Sequence, residues 1–234
     1  AGMFGAIVLI AAGADTDDTP AWANVVATLI QDAVLIGTAI ACAATVARPA
    51  AWQFGLRRVR ALWPAVGWTL LAYVTFLGIS AAFLTLVGAD QQDDLPQDLG
   101  ADEGTAAMLG IGFLVCVVAP LAEEFFFRGY VFTALKSWRG VWPAAITVGV
   151  LFGAVHAGGS DAAFLLPLAV LGLIFCLLYE RTGSLYPCIV LHAINNSVAF
   201  GASMDWDWQI PVTLAISLAL ITVLVLAVRG AGGP

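Results

Sequence analysis

Three ionisable side chains, Glu123, Glu124 and Arg128, stand inside the apolar run LAEEFFFRGYVF (121–132). At the centre of a membrane helix each such group costs roughly 2.5–3.5 kcal/mol on insertion scales, so the three must compensate one another or find partners. Glu124 and Arg128 are four residues apart and share a helical face, so they can pair. Glu123 points about 100° away from Glu124 and needs a partner from another helix. The chain has two histidines, and both fall in apolar segments: His156 ends LFGAVH, and His192 lies in LYPCIVLHAINNS. Asn196, four residues after His192, shares its face, with Asn195 and Ser197 beside it. A single membrane histidine is usually a packing group. Two of two, at depths comparable to an unpaired glutamate, point to a shared site. The residue types allow a structural ion pair, a proton or ion relay, or a centre that activates water for hydrolysis.

These groups need helices to carry them. The 234 residues are 61% hydrophobic and 11% charged, with a mean hydropathy of +0.95. A soluble domain carries about twice that charged fraction. The composition predicts an all-α polytopic transmembrane bundle without a separate soluble domain. Apolar stretches at 22–47, 62–88, 105–135, 142–157, 162–179, 185–203 and 209–228 give about seven complete spans. Residues 1–13 are too short to cross alone and read as a partial N-terminal span or an interfacial segment. Connections alternate in charge: Arg48, Arg57, Arg58 and Arg60, then Lys136 and Arg139, then Arg181 are basic, and Arg229 follows the last span. The connections at 90–98, 157–161 and 204–207, like ADTDDTP (14–20), are acidic. The positive-inside rule then puts the basic loops and the C-terminus in the cytoplasm. Tryptophans near the predicted ends, among them Trp63, Trp138, Trp142 and Trp208, read as interfacial anchors, and FGLRRVRALW (54–63) as a basic element on the inner surface. The net charge of −7 and the lack of a basic stripe argue against a nucleic-acid partner. Cys42, Cys116, Cys176 and Cys188 lie unpaired in apolar segments and read as small buried hydrophobes.

Three patterns occur in order within these spans: EExxxR (Glu123, Glu124, Arg128), FxxxH (Phe152, His156) and HxxxN (His192, Asn196). On these the sequence resembles the CPBP family of intramembrane proteases, also called the ABI or CAAX-protease-like family, which includes the Rce1-type prenyl-protein endopeptidases. YERTGSLYPCIVLHAINN (179–196) and FGLRR (54–58) are similar to the family as well. The resemblance implies a catalytic core at 105–203, preceded by membrane helices with a basic loop (1–104) and followed by a last membrane helix (204–234). It also implies that Glu123 activates water together with His156, and that His192 and Asn196 support the reaction. Glu124, Arg128 and Phe152 are then supporting residues. Members of the family have been described both as glutamate proteases and as metalloproteases. No cofactor is favoured, with zinc possible on Glu123, His156 and His192; the HExxH helix of soluble zincins is absent. The implied substrate is a membrane-associated peptide or protein, prenylated or bacteriocin-like, and the compact, Ala- and Gly-rich composition reads as that of a prokaryotic plasma-membrane protein. The alternatives are a non-catalytic partner or chaperone in a membrane complex and, less favoured, a proton-coupled transporter; no paired broken helices signal transport.

Overall fold

The computed structural model describes residues 20–89, 95–157 and 159–231, and every regular element among them is helical. In chain order these are α1 (Ala21–Ala44), α2 (Leu62–Val87), α3 (Thr105–Arg139), α4 (Val141–Ala154), α5 (Ala162–Thr182), α6 (Tyr186–Ser203) and α7 (Gln209–Ala231). Short helical turns at Ala51–Phe54 and Leu95–Asp98 punctuate the connections. Each expected apolar segment forms a helix. Five of them, α1, α2, α3, α5 and α7, are long and apolar enough to cross a bilayer. The other two fall short for physical reasons. The 14 residues of α4 reach only about 21 Å, and α6 spends apolar positions on His192, Asn195, Asn196 and Ser197. The expected N-terminal partial span lies outside the described residues.

α2 and α7 are apolar all round and lie at the periphery: each has only 11% of its most apolar window buried, against 44% for α5. Leu70, Leu71 and Val74 of α2 and Val223 and Leu226 of α7 face outward, as lipid-facing residues do. The core lies between α3, α4, α5 and α6, around Phe127, Phe132, Phe152, Phe175, Ile189 and Leu191.

Small residues bring α4 against α5. A Cβ on Gly149 would stand 2.7 Å from the Ala169 carbonyl oxygen, and one on Gly172 would stand 2.7 Å from Cβ of Phe152. This close approach is the membrane form of small-residue helix packing, and it seats Phe152 in the core, 1% exposed.

α3 is not a uniform α-helix. Wider π turns at Leu114–Val118 and Phe125–Phe132 flank the α-helical segment Ala119–Glu124. Pro120, which has no N–H to give the preceding turn, accounts for the first. Glu123 and Glu124 thus sit between two irregularities of a kind often found at functional sites.

The three basic connections meet at one end of the bundle. Arg57 Nε donates to the Gly183 carbonyl at 2.6 Å, Ser184 Oγ donates to the Arg57 carbonyl at 2.6 Å, and Lys136 meets Glu180 at 2.6 Å. Gly55, at φ +83°, takes a left-handed conformation where a Cβ would collide with the Tyr179 ring. At the other end the segment 95–104 closes over the helices. Gln97 donates to the Ser203 carbonyl, Asn24 Nδ2 to the Leu99 carbonyl at 3.3 Å, and the Ala21 amide to Glu103 at 3.2 Å. Exposed tryptophans mark both levels: Trp52, Trp63, Trp138 and Trp142 at the basic end, Trp22 and Trp208 at the acidic end.

Candidate active site

Glu124 and Arg128 form the innermost part of the site. Both are fully buried, and Arg128 Nη1 donates to Glu124 Oε1 at 2.9 Å, as the four-residue spacing requires. Burial makes such a pair stable only with further partners, and these are present. Arg128 Nη2 donates to the Gly172 carbonyl at 3.1 Å, and the guanidinium lies 4.4 Å from the Phe152 ring centre and 4.8 Å from that of Phe175. Phe152 also touches both imidazoles, with ring centres 5.1 Å from His156 and 5.8 Å from His192.

Glu124 has a second role that helix spacing does not reveal. Its Oε1 also lies 2.9 Å from His192 Nδ1. A carboxylate beside an arginine accepts, so His192 carries its proton on Nδ1 and turns Nε2 the other way. That nitrogen lies 3.9 Å from Glu123 Oε2. His156 is held alike: its Nδ1 is 2.7 Å from the Phe152 carbonyl, which can only accept, so Nε2 is left free. His156 is not within a helix as expected. α4 ends at Ala154, and His156 occupies the following turn ahead of a glycine-rich stretch, its amide donating to the Gly153 carbonyl. On α6, one amide N–H of Asn196 reaches the Val115 carbonyl in the first π turn at 2.9 Å and leaves the other available.

Glu123, His156, His192 and Asn196 all line a single cavity of about 100 Å³, enough to hold water. Thr28, Gln31 and Leu35 of α1 form the facing wall, and Leu95 and Leu99 close the acidic end. Oε2 of Glu123 has no hydrogen-bond partner among the described residues.

α1 contributes a residue that the motif reading passed over. Asp32 is 2% exposed, neither of its carboxylate oxygens has a hydrogen-bond partner among the described residues, and it lies within electrostatic reach of Glu123. It shares the face of Thr28 and Leu35, which line the cavity. Its signal was a lone acid in an otherwise uncharged stretch, 21–47.

The donors that zinc would use do not fit the ion as they stand. Glu123, His156 and His192 share the cavity, yet among the described residues no three His, Cys, Asp or Glu side chains are gathered so as to hold a metal.

Residues 105–198, which hold every side chain of the cavity except those from α1 and the 95–104 segment, match the family model of the Rce1-like type II CAAX prenyl endopeptidases. Through this core the chain is similar to that family of membrane endopeptidases. It is 35% identical over 81 residues to the "Putative membrane peptidase YdiL" of Bacillus subtilis (strain 168), an alignment covering 35% of this chain and about a third (32%) of that protein. It is 26% identical over 160 residues to the UPF0177 protein YxdF of Lactococcus lactis subsp. lactis (strain IL1403), covering 65% of this chain and 86% of the relative. No solved structure matches the chain.

Proposed function

We propose that the protein is an intramembrane endopeptidase that hydrolyses a peptide bond in a membrane-associated peptide or protein with water activated by Glu123. The observation carrying this reading is the convergence of Glu123, His156, His192 and Asn196 on one cavity. Glu123 accepts a proton from the water while His156 Nε2 accepts the water's second hydrogen bond, and the oxygen attacks the scissile carbonyl. The free N–H of Asn196 donates to the oxyanion, and His192, fixed through Nδ1 on Glu124, keeps Nε2 beside Glu123 as a further acceptor for the water. Glu123 then passes its proton to the leaving amine. Glu124, Arg128 and Phe152 hold His192 and His156 in place, and Asp32 adds a second carboxylate beside the site.

In this reading 105–203 is the catalytic core. α4 and α6 cross together with the five longer helices, and the basic end and the C-terminus face the cytoplasm of a prokaryotic plasma membrane. The prenylated substrate class follows the family description and the membrane-associated one the relative named as a membrane peptidase; the bacteriocin-like alternative rests on the sequence resemblance alone.

Glu123→Gln keeps the shape and removes the base. Membrane peptidomes of cells carrying the native protein or this variant at equal abundance test the proposal. General-base loss lowers turnover by about 10²–10⁴-fold, so products present with the native protein should vanish with the variant. Identical peptidomes would favour the non-catalytic partner, a role for which the Glu124–Arg128 network alone suffices.

A further inference from the structure

The basic end of the bundle holds a second cavity, of about 490 Å³, away from the catalytic residues. Four of the chain's nine lysines and arginines line it, Arg57, Arg60, Lys136 and Arg181, against one acid, Glu180. In a protein of net charge −7 this is a marked local excess of positive charge.

The cations are presented by a fixed frame. Arg57 is held through Nε on the Gly183 carbonyl, and its backbone carbonyl accepts from Ser184, which leaves its terminal nitrogens without a hydrogen bond among the described residues. Arg181 lies over the Trp68 ring at 4.9 Å and makes no hydrogen bond or ion pair among the described residues. Lys136 neutralises Glu180. Arg60 makes no ion pair or hydrogen bond among the described residues, although it lines the cavity. Three positive charges are therefore left without a counter-charge among the described residues. Arginine forks match the oxygens of a phosphate, and a tetrahedral oxyanion can be shared between several of them.

The cavity's level in the molecule suggests where the phosphate comes from. Trp52 lines it and is 60% exposed, and Trp63, Trp138 and Trp142 are exposed at the same end. Tryptophans of this kind lie at the headgroup level of a bilayer. A phosphodiester of the surrounding lipid is thus at the right height, at high local concentration, and attracted by basic residues near the surface.

We propose that this cavity binds a phosphate-bearing anion, supplied by the headgroup of an anionic membrane lipid. The site is independent of the peptidase reading and needs only that the basic end lie at the membrane surface.

The test uses the full chain purified in neutral detergent, with native mass spectrometry and thermal unfolding as readouts. Phosphatidylglycerol, phosphatidylcholine with the same acyl chains, and inorganic phosphate are added in separate arms. Phosphatidylglycerol should remain bound and raise the unfolding midpoint, while phosphatidylcholine should do neither. Arg60→Gln, which breaks no hydrogen bond or ion pair among the described residues, should weaken phosphatidylglycerol binding about tenfold, the effect of losing one charge-assisted hydrogen bond. Arg139→Gln is the control: it lies at the same end but stacks on Trp138 outside the cavity. Equal retention of the two lipids, or equal losses for the two variants, would overturn the site. Inorganic phosphate that displaces the lipid and reproduces the whole midpoint shift would keep the anion chemistry and overturn its lipid source.

Discussion

The two adjacent glutamates have separable tasks, and substitution should separate them. Glu124 shares one oxygen between Arg128 and His192. Removing its charge leaves Arg128, fully buried, without its counter-ion. Loss of one partner from such a pair costs about 3–5 kcal/mol, so Glu124→Gln should lower the unfolding midpoint and the yield of folded protein. The double variant Glu124→Leu/Arg128→Met should regain much of that stability while remaining inactive, because His192 has lost its acceptor. Thermal unfolding and product formation, measured on the same samples, check both halves. Asp32 should behave in the opposite way. Its oxygens accept no hydrogen bond among the described residues, so Asp32→Asn should leave the unfolding midpoint unchanged or higher, yet slow turnover. Unchanged turnover would assign Asp32 to packing alone. Both tasks of Glu124 lie in one atom, but only the Arg128 contact could be inferred from spacing, since a four-residue interval is local and a contact between positions 124 and 192 is not. Asp32 lay in plain view within α1, but no motif pointed to it.

At the level of elements, the site depends on how closely α4 and α5 approach. Gly149 and Gly172 permit backbone contact there, and that contact places Phe152 over Arg128 and leaves His156 in the turn at the end of α4. Gly149→Val puts a branched side chain against a backbone carbonyl. In bilayer proteins, where close packing and not water exclusion joins helices, this should cost about 1–3 kcal/mol or more and reduce activity together with the unfolding midpoint. A variant with native stability and activity would show that the contact is dispensable. Long apolar stretches made the helices legible, and each begins and ends within a few residues of its hydropathy boundary. Their internal irregularity was not. Pro120 hinted at a disturbance in α3, but the second π turn, at Phe125–Phe132, has no proline or glycine pair at its start to announce it. The closure of the acidic end by 95–104 rests on long-range contacts, such as Asn24 with Leu99, that composition cannot encode.

Across the whole molecule, charge is sorted by end, with Arg57, Arg60, Lys136 and Arg181 around one cavity and Asp98, Glu103, Asp161 and Asp205 in the segments at the opposite end. The alternation was readable because orientation follows basic residues in short loops. Their convergence into one cavity was not, because it depends on contacts such as Arg57 with Gly183 across 126 positions of sequence.

The compactness of the Glu123–His192 contact bears on voltage. A full elementary charge carried across a bilayer exchanges about 2.3 kcal/mol per 100 mV. The proton that Glu123 takes from water and passes to the leaving amine stays within the site, and a displacement as long as its 3.9 Å contact with His192 is about an eighth of a ~30 Å core. Its work is then at most about 0.3 kcal/mol, less than a twofold change in rate. Hydrolysis in proteoliposomes should therefore be nearly indifferent to an imposed potassium diffusion potential. A relay that conducts protons from one face to the other would change its rate by roughly fifty-fold over the same 100 mV, so electrical sensitivity separates the hydrolase from the transporter.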